Sequence, residues 1–472
     1  MLKTILRAIA APALLLALPA LIFAGGSQAK QSAAGEIKVL AAISGGKDDA
    51  ENELFQEALS KALGVKVIWE KPASYDQALM QKLGAGEAYD LIYLGQTQMY
   101  TFVQQGILTD LTSRLNNSAV IKANYPAGEL DKIAINGRYY AGFNKLEVFT
   151  LPNVNKAVTD KAGIDLSKLA TLDDYYNMLK AVKNYKENTE GVKPYYPFYI
   201  YMPDIWDLQP WFSSLGLRRG VYKDAGGKKY APYVTPQAAP VWEWLAKLYQ
   251  EGLIDPTSFT GRTSDMRNKM WQSQEIVMDV DWVAWTGLYN NNAKVAGDYP
   301  AKVNVVGLSG TRGPSGKYFL EQGGASLWGV PVNAKNPDGG FKIIEYFATK
   351  EGGLLLSAGI EGHDYALQGG RAALTETGIS HSRDHGAPFP ISTQFDFAIL
   401  GDLNPGVMES YAIGKRNDVA VEPMGYNNGD LDTRQFYDIV SKWMTDCMMG
   451  RLKAAEALNS AAEELRSRKI ID

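Results

Sequence analysis

Apolar strands and helices alternate near the N-terminal end of the chain. Three short apolar runs, 37–42, 65–69 and 89–94, are separated by two segments with helical periodicity, 54–63 and 75–83. Strands joined through helices pair in parallel with right-handed crossovers, and near-continuous apolar strands are typical of a sheet covered on both faces. The sequence therefore predicts a doubly wound α/β fold for this part of the chain.

Two loops that follow these strands are candidate ligand sites. In doubly wound sheets, ligands bind beyond the carboxyl ends of the strands. The first predicted strand is followed by Ser44-Gly45-Gly46 and the third by Gly95-Gln96-Thr97. We therefore predict that both loops border a binding site, with Gln96 and Thr97 as candidate side chains.

The start of the chain has the pattern of a secretory signal peptide. Two basic residues precede an apolar run over residues 8–23, and small residues follow it. The run is shorter than the roughly 20 apolar residues of a membrane span, and it contains two prolines. We predict a signal peptide over 1–24, cleaved after Ala24 or Ala29, and a flexible tether over 25–35. No cysteine follows the run, so a soluble, unlipidated protein is expected.

Length, charge and cysteine content limit the class of protein. A chain of 472 residues is long for a single core, which favours two domains. The formal net charge of −4 argues against nucleic acid or an anionic membrane as a partner, because both select basic patches. Cys447 is the only cysteine and lies in an apolar-periodic stretch, which predicts a buried, unreactive thiol. No nucleotide-binding motif occurs, so no cofactor is predicted.

An aromatic-rich and proline-rich segment lies between residues 194 and 212. Four prolines interrupt eight aromatic residues, which excludes a long helix and disfavours a central strand. Aromatic rings with polar tips can stack on the apolar face of a sugar ring. Any single ring could equally fill a core, but for the group we predict a ligand groove, with Trp206 and Trp211 as the stacking rings.

A second group combines acids with tryptophans. Asp279 and Asp281 are two residues apart, so on a strand they share a face, and Trp282 and Trp285 follow them. Paired carboxylates could serve a glycosidase as acid and nucleophile. More often, adjacent acids at a strand end bind a sugar hydroxyl, a basic side chain or water. Of these we predict that Asp281 binds ligand hydroxyls and that both tryptophans stack on sugar rings.

The histidines give no metal motif by spacing. His363, His381 and His385 are the only three, and the last two have an i, i+4 spacing. Glycine and proline follow closely, and no glutamate follows His381, so a solvated loop is predicted rather than a metal site.

Four motifs in this order carry a family resemblance. They are Tyr89–Ile92 with Gln105–Leu111, Thr171–Asp174, Leu248–Pro256 and Gly359–Tyr365. Together they resemble the extracellular solute-binding proteins (family 1) of ABC sugar importers, and most closely the large oligosaccharide-binding branch. The resemblance covers nearly the whole mature chain.

The resemblance implies a two-lobed α/β periplasmic-binding-protein fold with hinge strands and a ligand cleft between the lobes. The implied N-terminal lobe comprises residues 36–146 and 324–370, and the C-terminal lobe comprises residues 147–323 and 371–472. The chain is expected to cross between the lobes near 143–147, 319–326 and 369.

The resemblance also implies positions for the ligand site. The matching positions are Gln96, Thr97, Asn144, Trp206, Trp211, Asp281, Trp282, Gly323 and Gly324. Gln96, Asn144 and Asp281 are expected to bind hydroxyl groups. Relatives that bind alginate carry an acidic calcium loop, but the matching stretch 183–191 has lysines and only two acids, so no metal is predicted there.

The resemblance thus implies a monomeric periplasmic protein that captures an oligosaccharide and delivers it to the permease subunits of an ABC transporter. An enzyme is not predicted. The alternatives are an exported glycosidase or a binding protein for peptides, amino acids or polyamines. The charge of the sugar stays open, because Lys145, Arg218 and Arg219 could bind an acidic ligand or simply be solvated.

Overall fold

A computed structural model of the chain describes residues 35–42, 49–203, 205, 208–369, 371–381, 389–423 and 433–472. The predicted signal peptide, all of the predicted tether except Gly35, the Ser44–Gly46 loop, Trp206 and His385 lie outside the described residues. None of the helices in the described ranges combines the length and the apolar character that crossing a membrane requires.

Strands and helices are distributed along the whole described chain. The strands are β1 (Ile37–Leu40), β2 (Val67–Glu70), β3 (Leu91–Gly95), β4 (Ala141–Phe143), β5 (Thr150–Asn155), β6 (Tyr222–Lys223), β7 (Lys229–Tyr230), β8 (Met278–Trp282), β9 (Val305–Gly307), β10 (Tyr318–Gln322), β11 (Ser326–Gly329), β12 (Tyr365–Gln368), β13 (Arg371–Leu374) and β14 (Val419–Pro423). The α-helices are α1 (Asp49–Leu63), α2 (Tyr75–Gly84), α3 (Gln96–Gln104), α4 (Thr112–Asn117), α5 (Ala119–Asn124), α6 (Lys156–Lys161), α7 (Leu172–Asn188), α8 (Gln209–Phe212), α9 (Ala239–Gln250), α10 (Thr263–Trp271), α11 (Val283–Val295), α12 (Pro337–Ala348), α13 (Lys350–Ala358), α14 (Glu376–His381), α15 (Ala398–Leu403), α16 (Val407–Ile413), α17 (Thr433–Met448) and α18 (Ala454–Ser467).

The N-terminal strands form a five-stranded sheet in the order β2-β1-β3-β11-β4. Strand β1 pairs in parallel with β2 and β3, which confirms the predicted α/β arrangement. Strand β11 arrives from much later in the chain and runs antiparallel to both β3 and β4. Trp69 and Trp328 pack edge to face at 5.4 Å within the core beneath this sheet. We call the part of the chain built on this sheet and core lobe 1.

A second core lies around a three-stranded antiparallel sheet in the order β8-β5-β9. Helices α7, α9, α17 and α18 contribute its apolar side chains, and Cys447 is buried among them. Burial raises the pKa of the Cys447 thiol to about 11, which confirms a buried thiol that stays protonated near neutral pH. Strands β10 and β14 form a separate parallel pair. We call the part built on this three-stranded sheet and core lobe 2.

One predicted strand is wrong. The Asn136-Gly137-Arg138 sequence predicts a turn between two short strands, 132–135 and 139–143, but Leu130–Ile133 forms a 3₁₀ helix that buries Ile133 in the core of lobe 1. The Asn136-Gly137 turn has left-handed backbone angles at both residues, and a single bridge joins Ile135 to Arg138. The turn chemistry was therefore read correctly, but burial of Ile133 decided the conformation before it.

The two lobes are connected by short crossing segments. Residues 144–149 lead from β4 in lobe 1 to β5 in lobe 2. The last residue of β10, Gln322, bridges to Phe149 next to β5, and residues 323–325 lead from there to β11 in lobe 1. Gly369, near which a third crossing is expected, directly follows β12 in the β12–β13 hairpin and has a φ of 60°. The exact lobe boundaries stay a prediction.

Candidate functional site at the crossing segments

The two crossing segments are hydrogen-bonded to each other. The Gly323 amide donates to the Val148 carbonyl at 3.2 Å, and the Gln322 side-chain amide donates to the Glu147 carbonyl at 3.1 Å. The buried Glu147 carboxylate accepts a hydrogen bond from the Ser326 amide at 2.7 Å. Because charge-assisted hydrogen bonds are the stronger ones, Glu147 holds the start of β11 against the first crossing.

Trp282 lies over the second crossing. It is the last residue of β8 and the residue before α11, and its half-buried ring packs directly against Gly323. A Cβ atom at position 323 would overlap the six-membered ring, so this approach requires glycine. Three residues further along, the half-buried ring of Trp285 carries the guanidinium of Arg267 at 4.0 Å from its centroid. Both tryptophans are therefore partly exposed at this end of β8, and Arg267 covers one face of the Trp285 ring.

Gln96 reaches the second crossing from lobe 1. It is the first residue of α3, directly after β3, where ligands of doubly wound sheets bind. Its side-chain oxygen accepts a hydrogen bond from the Ala325 amide at 2.9 Å, and its amide donates to the Tyr100 hydroxyl at 3.0 Å. A Cβ atom added to the exposed Gly324 would lie 3.8 Å from the Gln96 side chain. The neighbouring Thr97 is exposed.

Asn144 has a positioning contact at the first crossing. Its backbone amide donates to the Ser326 carbonyl at 2.9 Å, and its side-chain oxygen accepts from the Trp328 indole at 3.1 Å. The side chain is buried in this conformation. It therefore anchors the crossing to the core of lobe 1, and its predicted contact with a ligand hydroxyl would require the cleft to rearrange around it.

The predicted role of Asp281 is wrong in this structure. Asp281 is buried, and its carboxylate accepts two hydrogen bonds from Arg267, at 2.7 and 3.1 Å, and one from the Trp282 amide at 2.7 Å. A carboxylate whose oxygens are enclosed in this way has no surface for a sugar hydroxyl. It orients Arg267 and the backbone at Trp282 instead.

Asp279 and Asp281 do share one face of β8, as their spacing predicted. The Tyr289 hydroxyl lies 2.7 Å from one carboxylate and 3.3 Å from the other. Burial, with the nearby negative charge of Asp281, raises the pKa of Asp279 well above its ordinary value. Both acids are enclosed on the same strand rather than placed across an open groove, so the arrangement that a glycosidase needs is not formed by this pair.

Trp211 is a core residue, which corrects its predicted stacking role. Its ring is buried and packs against Tyr175, Phe198 and Trp244 at centroid distances of 4.8–5.6 Å. The groove predicted for this segment is also wrong for four further rings that are buried: Tyr195, Phe198, Tyr199 and Phe212. The prolines prevent a long helix, as predicted, but the irregular backbone still pairs with neighbours: Phe198 bridges to both Ile254 and Met278.

The structure thus gathers part of the predicted site. Gln96, Trp282, Gly323 and Gly324 meet at the second crossing, Trp285 lies one helical turn beyond Trp282, and Thr97 lies beside Gln96. Sequence reasoning missed Glu147 and Arg267. Arg267 lies on α10, 14 residues before its partner Asp281, and no local pattern marks that pairing. Glu147 was predicted only as part of a crossing segment.

Three basic side chains were candidates for binding an acidic ligand, and each lies next to an acidic side chain of the protein. Lys145 lies 3.9 Å from Glu147, and Arg218 lies 2.5 Å from Glu422. Arg219 forms a buried bidentate pair with Glu321. These pairings leave the charge of the ligand open, because a paired cation can still take part in binding.

The cores of lobe 1 and lobe 2, the hydrogen-bonded segments that join the lobes, and the polar and aromatic side chains gathered there define a two-lobed binding protein. The chain belongs to the family of bacterial extracellular solute-binding proteins, whose sequence profile matches residues 53–360. A search of curated protein sequences found no match.

Solved structures share this fold over almost the whole chain. The alginate-binding protein AlgQ2, solved without calcium ion, is 18% identical, with a TM-score of 0.66 over 92% of this chain and 95% of that chain. An ABC substrate-binding protein from Listeria monocytogenes in complex with cycloalternan is 14% identical, with a TM-score of 0.63 over 93% and 100% of the two chains. The maltose-bound T. maritima MalE3 is 16% identical, with a TM-score of 0.63 over 92% and 100%. These similarities establish the two-lobed fold.

Proposed function

We propose that this protein is the periplasmic substrate-binding component of an ABC transporter. In this role it captures an oligosaccharide between its lobes and delivers it to the membrane permease. The signal-peptide pattern of residues 1–24 supports export, and the absence of a cysteine after that run supports a free periplasmic form. We also propose that the protein is a monomer and does not catalyse a reaction.

The observation that carries the proposal is that Gln96 and Trp282 both contact the second crossing. Gln96 belongs to lobe 1 and Trp282 to lobe 2, and both contact the 323–325 segment that connects the lobes. A ligand that touches both side chains binds the closed arrangement better than the open one, and this difference drives closure. Short crossing segments are the part of the chain that absorbs such a motion.

A saccharide ligand is supported by chemistry and by fold neighbours. Trp282 and Trp285 offer ring surface suited to the apolar face of a sugar, and Gln96 and Thr97 offer groups that hydrogen-bond hydroxyls. Two fold neighbours are described as bound to cycloalternan and to maltose. Their identity to this chain is low, so the particular sugar has to be found by experiment.

Thermal unfolding of the mature protein against a ligand panel tests the proposal. The panel contains neutral and acidic oligosaccharides, amino acids, peptides and polyamines. A ligand at 100 times its dissociation constant stabilises the folded state by about 2.7 kcal/mol, which is readily measured. Stabilisation by one oligosaccharide, recovered uncleaved, is expected. Recovery of fragments would indicate a glycosidase, and stabilisation only by peptides, amino acids or amines would overturn the sugar assignment.

A pair of variants tests whether that ligand binds at the second crossing. Trp282→Ala should reduce the ligand-induced stabilisation, because it removes the ring surface at the second crossing. Tyr230→Ala is the matched control, since Tyr230 is a 42% exposed aromatic residue on the β6–β7 hairpin. Equal ligand-induced shifts in both variants would exclude Trp282 from the site.

A further inference from the structure

A histidine and two carboxylates converge away from the crossing segments. Glu51 lies in the first turn of α1, and His363 and Asp364 lie in the loop between α13 and β12. One ligand atom from each of the three lies within 4.8 Å of the others. The pattern of the sequence did not predict a metal here, because the glutamate is more than 300 residues away from the loop along the chain.

The three side chains have the chemistry and accessibility of a transition-metal site. An imidazole nitrogen with two carboxylate oxygens is a ligand set that suits Zn²⁺, and water can occupy a fourth position. The side chain of Glu51 is 17% exposed and that of His363 is 34% exposed, so an ion can reach the cluster from solvent. Asp364 is buried and forms the floor of the cluster.

The loop that carries His363 and Asp364 is held in place before any ion binds. The Thr375 hydroxyl lies within hydrogen-bond distance of the carbonyls of both residues, at 2.5 and 3.1 Å. One oxygen of Asp364 accepts from the Ile360 amide at 2.7 Å, which orients the carboxylate. Gly378 packs so closely on the Asp364 carbonyl that a Cβ atom there would overlap it. Such outer contacts orient metal ligands and limit the reorganisation that binding requires.

We propose that Glu51, His363 and Asp364 bind one divalent transition-metal ion, with Zn²⁺ as the best match. At present Nε2 of His363 lies 2.8 Å from Oε2 of Glu51. Zinc bonds of 2.0–2.2 Å in tetrahedral geometry require these atoms to separate to about 3.3 Å, a change that the partly exposed side chains can make. The bound ion replaces the hydrogen bond between His363 and Glu51 and joins the start of α1 to the 360–364 loop. The site does not depend on the ligand of the crossing segments.

Calorimetric titration with ZnCl₂ tests the site in the mature full-length chain. The protein is made without a polyhistidine tag and is freed of metal with EDTA before titration. Wild type should bind one equivalent of Zn²⁺. His363→Ala should remove this binding, and Glu51→Gln should weaken it at least tenfold while the protein stays folded. Zinc should also raise the unfolding temperature of wild type more than that of His363→Ala.

The remaining histidines provide the matched control. The chain contains three histidines, so the double variant His381→Ala/His385→Ala removes every other imidazole. This variant should bind zinc as wild type does. The proposal is overturned if wild type does not bind zinc, if His363→Ala binds it unchanged, or if the double variant loses it. Failure of the sugar panel, by contrast, would leave this result unaffected.

Discussion

The indole ring of Trp282 packs against Gly323 so closely that a Cβ atom at position 323 would overlap it. Trp282 ends a strand of lobe 2, and Gly323 belongs to the segment that connects the lobes. The ring therefore sits where any relative movement of the lobes must change its surroundings. This contact connects the aromatic surface of the proposed site to the hinge.

Gly323→Ala should destabilise the protein, because the added methyl group has to displace the Trp282 ring or the crossing backbone. Forcing extra atoms into a packed contact costs about 1–3 kcal/mol. Gly324→Ala is the control, since its Cβ atom would lie 3.8 Å from Gln96, an ordinary contact distance. Urea unfolding of both variants checks the prediction. Equal stabilities would mean that the Trp282 ring does not pack on Gly323 in solution.

Asp279→Asn should flatten the pH dependence of stability. Burial raises the pKa of Asp279 in the folded state, so the folded protein holds this proton more tightly than the unfolded chain does. The free energy of unfolding must then fall as the pH rises above about 4, the ordinary value for aspartate, towards the raised pKa. Asparagine cannot ionise, so the variant loses this fall.

Unfolding titrations between pH 4 and pH 8 measure the effect. The free energy of unfolding of wild type should fall as the pH rises, and that of Asp279→Asn should fall measurably less. Asp338→Asn serves as a control, because the Asp338 side chain is 74% exposed. Parallel curves for wild type and Asp279→Asn would contradict a raised pKa at this position.

Arg219→Ala should be strongly destabilising. The Arg219 guanidinium forms a bidentate, fully buried pair with Glu321, the residue before the last of β10. Removing one partner of a buried ion pair leaves an uncompensated charge and costs about 3–5 kcal/mol. The neighbouring Arg218→Ala breaks a pair with Glu422 that is more than one third exposed, and it should cost about 0–1 kcal/mol. Chemical unfolding measures the free energy of unfolding of both variants. An equal loss in the two variants would contradict a buried ion pair between Arg219 and Glu321.

Lys183→Met should loosen the proline-rich segment from α7. The Lys183 ammonium donates to the carbonyls of Tyr195 and Gly252, at 2.8 and 3.0 Å, and lies 3.0 Å from the Glu187 carboxylate. Methionine keeps the apolar stem but leaves these oxygens without their donor. We expect a loss of about 3 kcal/mol, since two hydrogen bonds to a charged group are lost and each contributes about 1.5–3 kcal/mol. The partial exposure of the Lys183 side chain keeps the loss near the lower end of that range.

Lys180→Met is the matched change one turn earlier on the same helix. The Lys180 side chain is 53% exposed and its contacts are with side chains at the surface. Its loss of stability should be clearly smaller, and thermal unfolding of the two variants side by side would show this. A Lys183 variant as stable as the Lys180 variant would refute the anchoring role.

Local patterns predicted the elements that depend on sequence neighbours. The parallel strands β1, β2 and β3 follow from apolar runs separated by helical periodicity. The common face of Asp279 and Asp281 follows from the two-residue period of a strand. The position of Gln96 beyond β3 follows from the same reasoning, because a strand end is a local feature. In each of these cases, the deciding interaction lies within a few residues.

Burial and pairing across the chain were decided only by the tertiary structure. Trp211 was expected at a ligand but lies in a core, because Tyr175 and Trp244 pack against it from distant helices. Asp281 was expected to bind hydroxyls but is occupied by Arg267 of α10. The cluster of Glu51 with His363 joins segments 312 residues apart.

The sequence by itself determined an α/β chain with an export signal pattern, a family membership and the strand ends at which a ligand site is expected. Apolar periodicity, turn residues and short motifs carry this information because they act over short stretches of chain. The tertiary structure alone decided which aromatic rings fill a core, which carboxylates pair with an arginine and which glycine packs against Trp282. Those outcomes depend on contacts between residues that are far apart in the sequence. The spacing of residues along the chain does not predict such contacts.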